Sequence, residues 1–103
     1  ENLEKATQMS KKSNELSPEN ASFQDTYAWI LYQKKEYELA KTWLIKAYEN
    51  GGKLSPVITE HLGDVCFQLG DSNSALIYWG KAKKLGEGSK YLEQKIAEKT
   101  LYE

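Results

Sequence analysis

Apolar residues recur every three or four positions along most of the chain, and in two stretches they recur in the same order. Phe23, Tyr27, Ile30 and Leu31 step by four, three and one; Ile58, Leu62, Val65 and Cys66 repeat those steps one period later and run on to Leu69. Such steps put side chains on one face of an α-helix. A second series falls between and after them. Ala40, Leu44 and Ala47 return at the same offset as Ala75, Trp79 and Ala82. A step back from Ala40 and Ala47 that is shorter by one gives Ala6 and Ser13, again small. The single extra position falls in the turn "ENGGKLSP", where lengthening the chain costs little. Leu3, Ala6, Met9 and Leu16 predict a further helix at the start of the chain. Small residues at fixed places let two helix backbones approach closely. The pattern therefore predicts an all-α chain of antiparallel helical hairpins stacked on one another. The two prolines each follow a serine, Ser17-Pro18 and Ser55-Pro56, and each pair predicts a helix start with serine as N-cap.

The period, Leu62-Gly63, the turns "KKEY" and "LGDS", the alanine pairs and Pro18 closing the first unit resemble tetratricopeptide repeats, and in wording the C-terminal repeats of bacterial proteins of that family. The resemblance covers nearly the whole chain and implies a right-handed solenoid, an α-α superhelix. Residues 1–20 would be the second helix of a truncated repeat, 21–55 and 56–89 two full repeats, and 90–103 a capping helix. Opening mid-helix, the chain is expected to be part of a longer one. Cytoplasm and periplasm both remain open, because any targeting segment would lie elsewhere. Ala28 stands where the family usually has glycine, and Lys35 where the turn between helices often has one.

Charge narrows the partners. Fourteen basic against fifteen acidic residues leave a net charge of −1, which offers no field for nucleic acid. No apolar run approaches the ~20 residues that span a bilayer, so no membrane insertion is expected of this segment.

Candidate chemistry centres on "EHLGDVCFQLGD", which holds the only histidine and the only cysteine. At about 100° per residue, His61 and Cys66 point roughly 140° apart around a helix. Cys66 belongs to the apolar face. His61 and Asp64 can touch, but two ligands do not make a zinc site, which takes three or four. No second histidine, recognisable nucleophile or phosphate-binding loop accompanies them. The expectation is therefore a non-catalytic chain with no metal and no cofactor.

What remains is a surface. In the resemblance the first helix of each hairpin lines a concave groove, which implies a peptide-binding set of Asp25, Trp29, Tyr32, Gln33, Glu60, His61, Asp64, Phe67 and Gln68, with Ser22, Thr26 and Val57 beside them. The set has carboxylates and aromatics but no lysine or arginine, which argues against a clamp for a C-terminal carboxylate. It favours a peptide or protein segment with basic and apolar side chains. Trp29 has an alternative role, sealing the contact between successive first helices near His61 and Asp64. The whole chain has one too, an architectural or self-associating module, homodimeric through an N-terminal half-repeat whose Leu3 and Met9 lie uncovered.

Overall fold

The computed structural model describes residues 3–86 and 89–99. These form α1 (Leu3–Leu16), α2 (Ala21–Gln33), α3 (Tyr37–Glu49), α4 (Pro56–Gln68), α5 (Ser72–Leu85) and α6 (Leu92–Glu98), with one 3-10 turn at Gly52–Leu54. The fold is all-α and repeat-like. Helices α2 and α3 pack together across a short turn, and so do α4 and α5. Connections that short make each pair an antiparallel hairpin.

Both hairpin turns are closed by the same hydrogen bonds. Glu36 N donates to Leu31 O and Lys35 N to Tyr32 O; one period later Asp71 N donates to Cys66 O and Gly70 N to Phe67 O. This Schellman arrangement needs a left-handed residue after the helix. Gly70 supplies it at φ 87°, whereas Lys35 adopts it at φ 65°.

The helix starts diverge from the serine–proline expectation at one place. Ser55 does cap α4, its hydroxyl accepting from Ile58 N, with Pro56 in the first turn. The first pair does not begin a helix. There α2 starts at Ala21 with Asn20 as its cap, its side chain accepting from Phe23 N, and Pro18 lies in the turn before it. The Pro18 carbonyl accepts from Gln24 Nε2 at 2.8 Å. Thr59, which occupies the place of Gln24 in the next hairpin, donates to Gly52 O at 3.3 Å. Each first helix thus uses one buried polar side chain at the same register to hold the loop that precedes it.

The core is two connected clusters. Tyr27, Ala28, Leu31, Ala40, Leu44, Ala47, Leu62 and Val65 fill the first; Cys66, Ala75, Trp79, Ala82 and Leu92 fill the second. The recurring alanines are fully buried, as close helix approach requires. Gly63 is the tightest point: a Cβ there would lie 2.5 Å from Trp79 Cδ1 and 2.6 Å from Trp79 Nε1. The matching places of the earlier hairpin hold Ala28 and Leu44, so a larger residue in one helix accompanies a smaller one in its partner.

Helix α1 packs on α2 by an unexpected face. Its buried residues are Thr7, Ser10 and Asn14, whereas Met9 and Leu16 from the predicted apolar face are 65% and 75% exposed. Hydrogen bonding turns it this way: Asn14 Nδ2 donates to Phe23 O at 3.2 Å, and Lys34 Nζ donates to Thr7 Oγ1 at 3.3 Å. Of the capping helix expected over 90–103, residues 100–103 lie outside the described residues, as do 87 and 88 of the preceding repeat.

Candidate functional site

The first helices α2 and α4 lie side by side, and the expected groove residues fall into two groups along them. On α2, Asp25, Trp29 and Tyr32 face α4. His61 Nδ1 lies 2.8 Å from Asp25 Oδ1. Because a carboxylate accepts only, the proton of that contact sits on Nδ1. The imidazole lies on the Trp29 ring, centroids 4.1 Å apart and planes 19° apart, and Trp29 in turn stacks on Tyr32 at 4.5 Å and 6°. Gln68 Nε2 donates to the Tyr32 hydroxyl at 3.1 Å, and Tyr32 meets Tyr37 edge to face. Asp25, Trp29, Tyr32, His61 and Gln68 thus form one continuous layer, with Trp29 in the sealing position. Gln33 is exposed at its edge. A concavity of about 280 Å³ opens there, lined by Trp29, Tyr32, Gln33, Lys35 and Tyr37.

Glu60 and Asp64 are placed differently from the groove expectation. They are 2% and 3% exposed, covered by α6. Lys95 Nζ lies 2.6 Å from Glu60 Oε2 and 2.9 and 3.1 Å from the Asp64 oxygens, and is itself 4% exposed. Ser89 N and Oγ donate to the Glu60 carboxylate at 2.6 and 2.5 Å. Trp79 Nε1 donates to Asp64 at 2.9 Å. A basic group does meet these carboxylates, but it belongs to the chain itself. Phe67 is half-buried and stacks on Trp79 at 5.9 Å, facing inward rather than toward a partner.

One ammonium between two buried carboxylates leaves an excess negative charge. Burial pushes Glu60 up, but the hydrogen bonds from Lys95 and Ser89 outweigh it and hold the carboxyl below its ordinary value. For Asp64 burial wins over Lys95 and Trp79, and the neighbouring Glu60 charge adds to it, so its pKa is raised. Burial alone would lower Lys95; Asp64 and Glu60 reverse the sign and hold it protonated well into the alkaline range.

The two contacts form a series that pairwise inspection of the sequence misses. Asp25 and Glu60 are one period apart, and the groups that reach back to them, His61 and Lys95, are separated by one position less. Helix α4 sends a base to an acid on α2, and α6 sends a base to the acids on α4. The signal in the sequence is an acid followed by a base about one repeat later.

Burial raises the Cys66 pKa, keeping the thiol protonated and within the second core cluster. Among the described residues no group of three or more His, Cys, Asp and Glu could hold a metal ion. No described helix is long and apolar enough to cross a membrane. The chain matches no protein-family model and no curated protein.

Proposed function

We propose that the chain is a non-catalytic interaction module of tetratricopeptide-repeat type, its hairpins stacked as a right-handed solenoid. It binds a peptide or protein segment on the α2 side of its first-helix face. The observation that carries this reading is the stacked layer of His61, Trp29 and Tyr32 beside an open concavity edged by Gln33, Lys35 and Tyr37. Rings already stacked and hydrogen-bonded lose little entropy when a ligand lands on them. The recurrence of small residues and turns at a nearly constant period supports the repeat assignment.

The internal pairing of Asp25, Glu60 and Asp64 changes the ligand. With all three carboxylates answered by His61 or Lys95, the surface offers aromatic faces, the Gln33 amide and the Lys35 side chain. The ligand is a segment presenting apolar side chains, with no premium on basic ones. A peptide array probed with the wild-type chain, Trp29→Ala and Gln33→Glu tests this. Apolar peptides should be retained by the wild type, lost with Trp29→Ala and weakened with Gln33→Glu. A retained set indifferent to both substitutions, or one selected by charge alone, refutes the reading.

A second reading, an architectural module, is favoured by a separate observation. Met9, Phe23 and Ile30 line an open apolar groove between α1 and α2, away from the aromatic layer.

A further inference from the structure

What close hairpin packing requires recurs one period apart, as the buried alanines do. The lining of the concavity beside Trp29 does not recur. It is formed by Trp29, Tyr32, Gln33, Lys35 and Tyr37. The matching places of the next hairpin hold Asp64, Phe67, Gln68, Gly70 and Ser72, so only the glutamine is shared. The concavity lies within the array and not at its end. Lys34, next to Lys35, donates to Thr7 of α1, and Gln68 of α4 donates to the Tyr32 hydroxyl. It stays open with a helix packed on either side of α2.

Lys35 is the least expected of the five. It holds a left-handed backbone at φ 65°, where its counterpart Gly70 has φ 87°. Glycine closes such a turn with less strain, so the turn itself does not call for a lysine. Lys34 is tied to Glu4 and Thr7. Lys35 is exposed and has no ion-pair partner among the described residues. Around it the Gln33 amide and the Tyr37 hydroxyl can also donate, and none of the five lining residues is acidic. The carboxylates of the first helices do not compete for these donors, because Asp25, Glu60 and Asp64 are engaged by His61 and Lys95. Glu36 and Glu38 stand exposed at the start of α3, outside the lining.

We infer that the concavity takes one acidic side chain of a partner peptide, an aspartate or glutamate, with apolar residues beside it. The carboxylate sits on the Lys35 ammonium, with the Gln33 amide and the Tyr37 hydroxyl as further donors. The apolar neighbours meet the half-buried rings of Trp29 and Tyr37. One ammonium, with Glu36 and Glu38 close to it in the chain, matches a single negative charge and disfavours a doubly charged phosphate. The inference rests on the reading of this face as a peptide-binding surface and names the charge its ligand carries.

Fluorescence polarisation with short acetylated, amidated peptides tests it. Apolar residues vary around one fixed position that carries glutamate, glutamine or phosphoserine. On the wild type each glutamate peptide should bind about three- to fivefold tighter than its glutamine twin, the size of one exposed ion pair, and lose that advantage at high salt. Lys35→Arg should keep the preference. Lys35→Gln and Lys35→Gly should abolish it while binding the glutamine peptides as the wild type does. Thermal melting should show Lys35→Gly at least as stable as the wild type, which separates loss of preference from loss of fold. Equal binding of glutamate and glutamine peptides by the wild type, or a preference that survives in Lys35→Gln, overturns the inference and leaves the apolar peptide surface standing. Tighter binding of the phosphoserine peptides, or of glutamine peptides with a free C-terminus, assigns the donors to another anion and overturns it as well. Failure of every peptide to bind overturns the reading of the face itself, and this inference with it.

Discussion

A side chain's tolerance here is set by which residue stands across the hairpin from it. Gly63 has no room for a methyl group because Trp79 lies where it would go, and Trp79 is held there by its bond to Asp64. Gly63→Ala should therefore cost about 1–3 kcal/mol by overpacking despite the better helix propensity of alanine. Chemical denaturation measures this. Combining it with Trp79→Leu reproduces the Ala28–Leu44 solution, and the double variant should be at least about 1 kcal/mol more stable than the sum of the single effects. Strict additivity would mean the two residues do not compete for space. Lys35 poses the opposite case. Its left-handed backbone matches that of Gly70 in the other hairpin, and a side chain there is strained. Lys35→Gly should stabilise by about 0.5–1 kcal/mol, while Gly70→Lys should destabilise; equal and negligible shifts would show that the turn does not hold that conformation. At this scale the sequence is informative. The repeat register singles out Ala28, Lys35 and Leu62-Gly63 without coordinates, because volume and φ constraints recur with the repeat. The bond from Trp79 to Asp64 leaves no such mark, since the matching places hold Leu44 and Trp29, which are not an indole donor and a carboxylate.

Among the elements, α6 shows how a short helix can be fixed by charge. It has seven residues and attaches through Leu92, Ile96 and the Lys95 contacts. Lys95→Met removes the cation that faces two buried carboxylates and should cost about 3 kcal/mol near neutral pH. The pH dependence follows from the shifts. Lowered Glu60 stabilises the wild type above its ordinary carboxylate range, and that contribution is lost as pH falls through the depressed value. Raised Asp64 acts in the opposite sense, being unfavourable once pH rises through its folded value. The raised Lys95 contribution persists through neutral pH and is lost only in strong alkali. Without Lys95 both carboxyls should titrate upward, so the deficit of the variant should shrink on acidification. A deficit equal at neutral and acid pH would show that Lys95 acts by packing alone. Helix existence is readable here and helix orientation is not. The apolar residues of α1 point to one face, yet Thr7 and Asn14 pack inward, and Ser10 between them, because the hydrogen bonds of Asn14 to Phe23 O and of Lys34 to Thr7 reach across to a different helix and its cap. Ser17-Pro18 misleads for a similar reason, since Asn20 outcompetes Ser17 for the role of cap.

Across the whole molecule, stability should fall from the middle hairpins toward both ends. Helices α2 to α5 supply nearly all of both core clusters; α6 supplies Leu92 and Ile96, and no α1 side chain belongs to either. In an array where each unit touches only its neighbours, the outer helices can open without unfolding the rest. Amide exchange should therefore be slowest in α2, α3, α4 and α5, and faster by about tenfold or more in α1 and α6, through openings too small to need global unfolding. Uniform protection across all six helices would instead make the chain a single cooperative unit, in which α1 is as firmly held as the hairpins despite burying only Thr7, Ser10 and Asn14.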